Sequence, residues 1–165
     1  YIPGRWTSVA QKLIKHYKLK SGSKILDVGC GKGFFLKDLL NYERSFKVYG
    51  VDISKYAIKN AHPDVKKNIY YSNCKKLKWR TNYFDLVISL GVLHNLDLLN
   101  LEKSIREINR VSKKSYVMVE SFKTDKELFN LQCWALTCQS FFSTEEWKYI
   151  FKNNFYKGDY EFIFF

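Results

Sequence analysis

One run of nine residues constrains this chain more than any other: Ile25-Leu26-Asp27-Val28-Gly29-Cys30-Gly31-Lys32-Gly33. A stretch of strand length runs into three glycines at alternate positions. The helix-period pattern Phe34, Phe35, Leu36, Leu39, Leu40 follows at once. Strand, glycine turn and helix in that order let backbone approach a ligand closely. Glycine removes side-chain bulk and tolerates positive φ, while the helix start offers unpaired N–H groups and a positive dipole end.

Such a unit needs parallel neighbours, and the rest of the chain supplies them. Apolar runs at residues 24–28, 47–51, 69–72, 84–89, 115–121 and 160–165 read as strands, with helix-period segments between them. Ser8-x-x-Gln11 matches a capping box, ahead of an apolar face of Val9, Leu13, Ile14 and Tyr17. Ser54 can cap the helix after the second strand. Leu101, Ile105, Ile108 and Val111 recur at helical spacing, and Glu102 precedes Arg106 by four residues. Ser143-x-x-Glu146 is a second capping box, opening a helix with Trp147, Ile150 and Phe151 on one face. Residues 132–142 stay open between helix, strand and lid. The alternation predicts an α/β fold with a doubly wound, mostly parallel sheet and helices on both faces.

A chain of 165 residues with 46% hydrophobic content can bury one core without disulfides or a structural metal. No stretch approaches the roughly 20 apolar residues of a membrane helix, since residues 84–101 are interrupted by Asp85, His94, Asn95 and Asp97. Cys30, Cys74, Cys133 and Cys138 lack paired C-x-x-C spacing and, beside only three histidines, form no zinc pattern. Scattered thiols predict a reducing, cytoplasmic setting. The sequence opens on Tyr1 rather than Met, so the native start is not displayed. The net charge of +12 would concentrate polyanions near the surface. Its 23 Lys against 5 Arg, beside 11 Asn, point instead to a solvated surface shaped by A/T-rich codons, so nucleic acid is the less favoured partner.

Asp52 ends the second strand, 19 residues beyond Gly33, where an acid can accept two ribose hydroxyls. A dinucleotide fingerprint would read G-x-G-x-x-G, but here the third glycine comes one position early. Asp27, two residues before the first glycine, would repel a pyrophosphate and welcome a cation. A ligand carrying ammonium, carboxylate and ribose satisfies both acids.

With these residues in view, the sequence resembles the class I S-adenosylmethionine-dependent methyltransferases, in the branch of type 11 methyltransferase domains. The similarity spans residues 24–120. It rests on the glycine loop, on Val51-Asp52-Ile53-Ser54, on Phe84-Asp85-Leu86-Val87-Ile88-Ser89 with Val92-Leu93-His94-Asn95-Leu96, and on Arg110-Val111. The resemblance implies a Rossmann-like sheet, here with a shortened C-terminal strand pair, and S-adenosyl-L-methionine as cofactor. It implies that Asp27, Gly29, Gly31 and Gly33 surround the methionine part, that Asp52 holds the ribose, and that Ile53 and Asn73 meet the adenine. Ser89, at the end of the fourth strand, joins this set. It stands where catechol-type relatives carry a metal-binding Asp, so no metal is expected. One domain then covers residues 1–165. It comprises an N-terminal helix region (1–20), a cofactor-binding core (24–121), a candidate acceptor lid (122–142) and a C-terminal helix and strand (143–165).

Methyl transfer to an alcohol or ammonium calls for a base near the carboxyl ends of the first and fourth strands. His94, just past strand four, and Glu120, ending strand five, are the candidate catalytic residues. A structural ion pair with Arg5 or Lys123 is the plain alternative for Glu120. Trp6 and Trp134 are candidate walls of the acceptor pocket. No Pro-Pro-aromatic or Pro-Cys signature of base methylation follows Ser89. The leading acceptor is therefore a small hydroxylated or amino metabolite, such as a sugar derivative. RNA is the alternative acceptor, and a catalytically silent interaction module a further one. Oligomeric state is not legible.

Overall fold

In a computed structural model, which describes residues 1–165, six strands form one sheet. They are β1 (Lys24–Val28), β2 (Lys47–Asp52), β3 (Ile69–Tyr71), β4 (Leu86–Leu90), β5 (Ser115–Glu120) and β6 (Asp159–Ile163). Their order is β3-β2-β1-β4-β5-β6, and every pairing is parallel. The order reverses between β1 and β4, so their carboxyl ends open the crevice in which such sheets take ligands.

Seven helices accompany the strands, α1 ahead of β1 and the rest between strands: α1 (Thr7–Tyr17), α2 (Phe34–Tyr42), α3 (Lys55–Lys59), α4 (Pro63–Lys66), α5 (Leu98–Val111), α6 (Asp125–Trp134) and α7 (Thr144–Asn153). Strand alternation sends successive β1 side chains to opposite faces. Ile25 joins Leu13, Ile14, Leu36 and Val65 in a cluster formed with α1, α2 and α4. Leu26 and Val28 join Leu101, Ile105, Trp147 and Phe151 in a second cluster formed with α5 and α7. The sheet is therefore covered on both sides, and β1 and β4 are apolar on both, as buried parallel strands are.

Several local expectations are corrected. The Ser8-x-x-Gln11 box does not form: α1 starts at Thr7 with no cap from its own side chains. The buried Asp38 of α2 does that work, accepting from Trp6 N (2.9 Å), Thr7 Oγ1 (3.3 Å) and Tyr1 Oη. β4 begins at Leu86, with Phe84 held only by an isolated bridge to Ser112. The open segment 132–142 divides: α6, capped by the reciprocal box of Thr124 and Glu127, runs to Trp134, and a loop follows. The shortened C-terminal strand pair, by contrast, is found as expected, as the single strand β6, parallel to β5. No helix is long and apolar enough to cross a membrane.

Candidate active site

The glycine turn folds back over the end of β2. Gly29 N and Cys30 N both donate to Val51 O, at 2.8 and 3.1 Å. Gly33 has φ +72°, and a Cβ there would lie 2.7 Å from Ile69 Cδ1 and 2.8 Å from Val65 Cγ2. A Cβ on Gly31 would meet only open space, so this glycine keeps the loop bare on its cleft side. Cys30 packs as a buried thiol, pushed up in pKa by burial, which fits a space-filling role.

Two cavities open at these strand tips. The larger, about 530 Å³, is lined by Asp52, Ile53, Asn73, Val92, Thr137 and Gln139 among others. The smaller, about 250 Å³, is lined by Trp6, Asp27, Gly31, Lys32, Phe34 and Leu90. Gly29 borders both. Asp52 spans the gap between loop and strand: Oδ2 accepts from Gly31 N and Oδ1 from Ser54 N, each at 2.7 Å.

Asp27 is 5% exposed, and its carboxyl is pushed up to about 7, by burial first and by the Asp52 charge second. A buried carboxylate without a donor to offset its desolvation is a site waiting for a cation. This donor set could hold S-adenosylmethionine, whose ammonium would lie by Asp27, its ribose hydroxyls by Asp52 and the face of its adenine ring by Ile53 and Val92. Asn73 borders the same cavity, but its Oδ1 already accepts from Lys75 N at 3.1 Å, so it also braces its own loop. Ser89 departs from expectation. It is fully buried, borders neither cavity, and its Oγ has no partner. Strand alternation puts it with the core residue Val87, and the geometry gives it no part in the cleft.

His94 and Glu120, distant in sequence, meet. His94 lies in a 3₁₀ turn (Leu93–Asn95) just past β4, and its Nδ1 is paired with Glu120 Oε2 at the end of β5. Both side chains are buried. Neither Arg5 nor Lys123 is the partner of Glu120. Gly91 makes the approach feasible: at φ +65°, a Cβ there would stand 2.9 Å from Glu120 Oε1. Trp147 Nε1 donates to Glu120 O at 3.1 Å, fixing the strand end from below.

The loop after α6 closes over this pair through backbone. Gln139 N and Ser140 N donate to His94 O at 2.9 and 3.0 Å, and Thr137 Oγ1 to Asn95 Oδ1 at 2.6 Å. Trp134 lies with its ring 6.4 Å from that of His94 and stacks on Phe165 at 4.3 Å, half exposed. Trp6 packs edge-on against Phe35 at 6.0 Å and walls the smaller cavity. Sequence reasoning missed Lys32, Thr137 and Gln139 as cavity residues. The glycine loop could have signalled Lys32, but the other two belong to a loop whose position depends on the turn it is tied to.

A family model of a methyltransferase domain matches residues 19–155. The chain belongs to the class I S-adenosylmethionine-dependent methyltransferases. S-adenosylmethionine is accordingly the cofactor of this fold. Among curated relatives, an uncharacterized Methanocaldococcus jannaschii protein is 31% identical over 116 residues, covering 70% of this chain and 43% of that protein. A tRNA (carboxymethyluridine(34)-5-O)-methyltransferase of Arabidopsis thaliana is 35% identical over 125 residues, covering 74% of this chain and 29% of the relative. The chain thus spans less than half of the length of these two relatives. The crystal structure of a SAM-dependent methyltransferase from Aquifex aeolicus aligns with a TM-score of 0.65 at 25% identity, covering 93% of this chain and 82% of that one.

Proposed function

We propose that this domain transfers a methyl group from S-adenosylmethionine to an oxygen or nitrogen of a small-molecule acceptor, with His94 as the base. The observation that carries this reading is the buried His94–Glu120 pair at the tips of β4 and β5; neither side chain lines a cofactor cavity itself, but their chain neighbours Val92, Asn95 and Leu96 line the larger one. Bound there, the cofactor would supply an electrophilic methyl group on a sulfonium. The chain's own residues do the rest. Glu120 takes the Nδ1 side of His94, which leaves Nε2 to accept a proton from an acceptor hydroxyl or ammonium. The carboxylate then balances the imidazolium charge that forms. Asp27 and Asp52 fix the two ends of the cofactor, and the loop tied to His94 O shields the site from water.

The test is production of S-adenosylhomocysteine (SAH) from S-adenosylmethionine across a panel of hydroxylated and amino metabolites. His94→Asn should bind SAH as the wild type does while turnover falls about 10²–10⁴-fold, the usual contribution of a general base. Equal turnover by the variant would refute the role of His94.

An RNA acceptor is the second reading, supported by where the charge lies. Residues 53–82 hold eight Lys or Arg against the single acid Asp64, itself paired with Lys37 at 2.5 Å. Lysines stand over aromatic rings in the same region, Lys55 over Tyr71 and Lys78 over Tyr70. RNA binding there must weaken steeply with salt. Retention on RNA that does not respond to salt would remove this reading.

A further inference from the structure

Three cavities of about 310–380 Å³ have no part in cofactor binding, and of these one adjoins the cofactor site through shared walls. A groove of about 380 Å³ lies on the α1 face of the sheet, floored by Leu90 of β4 and Met118 of β5. Its volume falls within the range of small-molecule sites, about 300–1,000 Å³. Trp6 and Leu90 wall both this groove and the smaller cofactor cavity, so the two adjoin at the methionine end. Alternation along β5 sets Tyr116, Met118 and Glu120 on one face, so the floor climbs the strand toward the Glu120–His94 pair.

The groove pairs apolar and aromatic surface with fixed carboxylates. Asp159 and Glu161 of β6 stand along one side, and the register sets them opposite Tyr116 and Met118. Both are exposed, but each is held by hydrogen bonds. Glu161 Oε2 accepts from Tyr116 Oη at 2.6 Å, and Asp159 Oδ2 accepts from Tyr17 Oη at 2.7 Å with His16 Nε2 at 3.0 Å. A carboxylate has about four acceptor positions, so both retain capacity for a ligand. Lys12 of α1 faces them across the groove, and Trp6 and Tyr160 add aromatic rings.

An alkyl chain would leave the carboxylates unused, and a phosphate would be repelled by them. A sugar uses both surfaces: its C–H face lies on apolar and aromatic side chains, and its hydroxyl or ammonium groups donate to carboxylates. We propose that this groove binds the acceptor and that the acceptor is a saccharide. One ring rests on Leu90 and Met118, with hydroxyl or amino groups on Asp159 and Glu161. The assignment rests on the methyl-transfer reading above and names its substrate class.

Saturation-transfer NMR with glucosamine and glucose as probes, on protein loaded with SAH, tests it. Saturation should pass from the protein to glucosamine, weaken about tenfold in apparent affinity in Glu161→Gln, and vanish when Met118→Trp fills the floor. SAH affinity, measured by calorimetry, should be unchanged in both variants. No transfer to either sugar in the wild type, or transfer unaltered in Glu161→Gln, would overturn the proposal. Protein that binds glucosamine but not SAH would support the groove and overturn the methyl-transfer reading instead.

Discussion

Replacing Asp27 with asparagine should make the protein more stable and useless to its cofactor. The carboxyl lies at the tip of β1, 5% exposed, and titrates at about 7 in place of 3.8. Between those pH values the folded chain holds a proton that the unfolded chain has lost. Native stability therefore falls as pH rises through this window and levels off above about 7. At about 1.4 kcal/mol per unit, the accumulated penalty reaches about 4 kcal/mol as an upper bound. An uncharged amide removes it. Asp27→Asn should thus gain roughly 2 kcal/mol at about pH 5 and up to about 4 kcal/mol above about pH 7. For a chain of this length, that is up to roughly 10 °C in melting temperature. Calorimetry with SAH should show affinity lowered by about a hundredfold or more, because the amide offers the ammonium no charge. Thermal melts of both proteins across this pH range, with SAH titrations beside them, give the answer. A variant no more stable than wild type above neutrality, or one that still binds SAH normally, would refute the reasoning.

Gly33→Ala combines a left-handed backbone with overlap on Ile69 and Val65, and urea titration should show a loss of about 2–4 kcal/mol. Glu120→Gln keeps the shape but removes the charge opposite His94; turnover should fall about 10–10³-fold with SAH affinity intact, read by comparing kcat with calorimetry. Arg110→Lys cannot reproduce the guanidinium fork that donates to Trp79 O (2.8 Å), Leu77 O (2.9 Å) and Glu107. Denaturant unfolding should show a loss of about 1–3 kcal/mol.

The strands and the glycine turn were legible because local pattern and global need agree there. β1, β2, β4 and β5 are apolar runs that only a covered parallel sheet can use, and Gly33 sits where a Cβ would collide. What escaped reading was decided at long range. Ser8 and Gln11 have the right chemistry for a cap, but Asp38 reaches the helix start first and holds it with three donors. The partner of Glu120 could not be found by spacing, since His94 lies 26 residues away and meets it only through the turn at Gly91. Ser89 read as a site residue because it ends a strand at the right edge, yet side-chain parity buries it. Thr137 and Gln139 reach the cleft through a loop whose course is set by hydrogen bonds to the backbone of residue 94.

The anchoring of α1 by Asp38 has a kinetic consequence. Trp6 flanks both the cofactor cavity and the adjoining groove, yet its backbone is suspended from an acid 32 residues downstream on another helix. Loss of that acid would slacken the doorway rather than the machinery behind it. An Asp38 defect would therefore register as weakened capture of ligands, in a residue that never touches one.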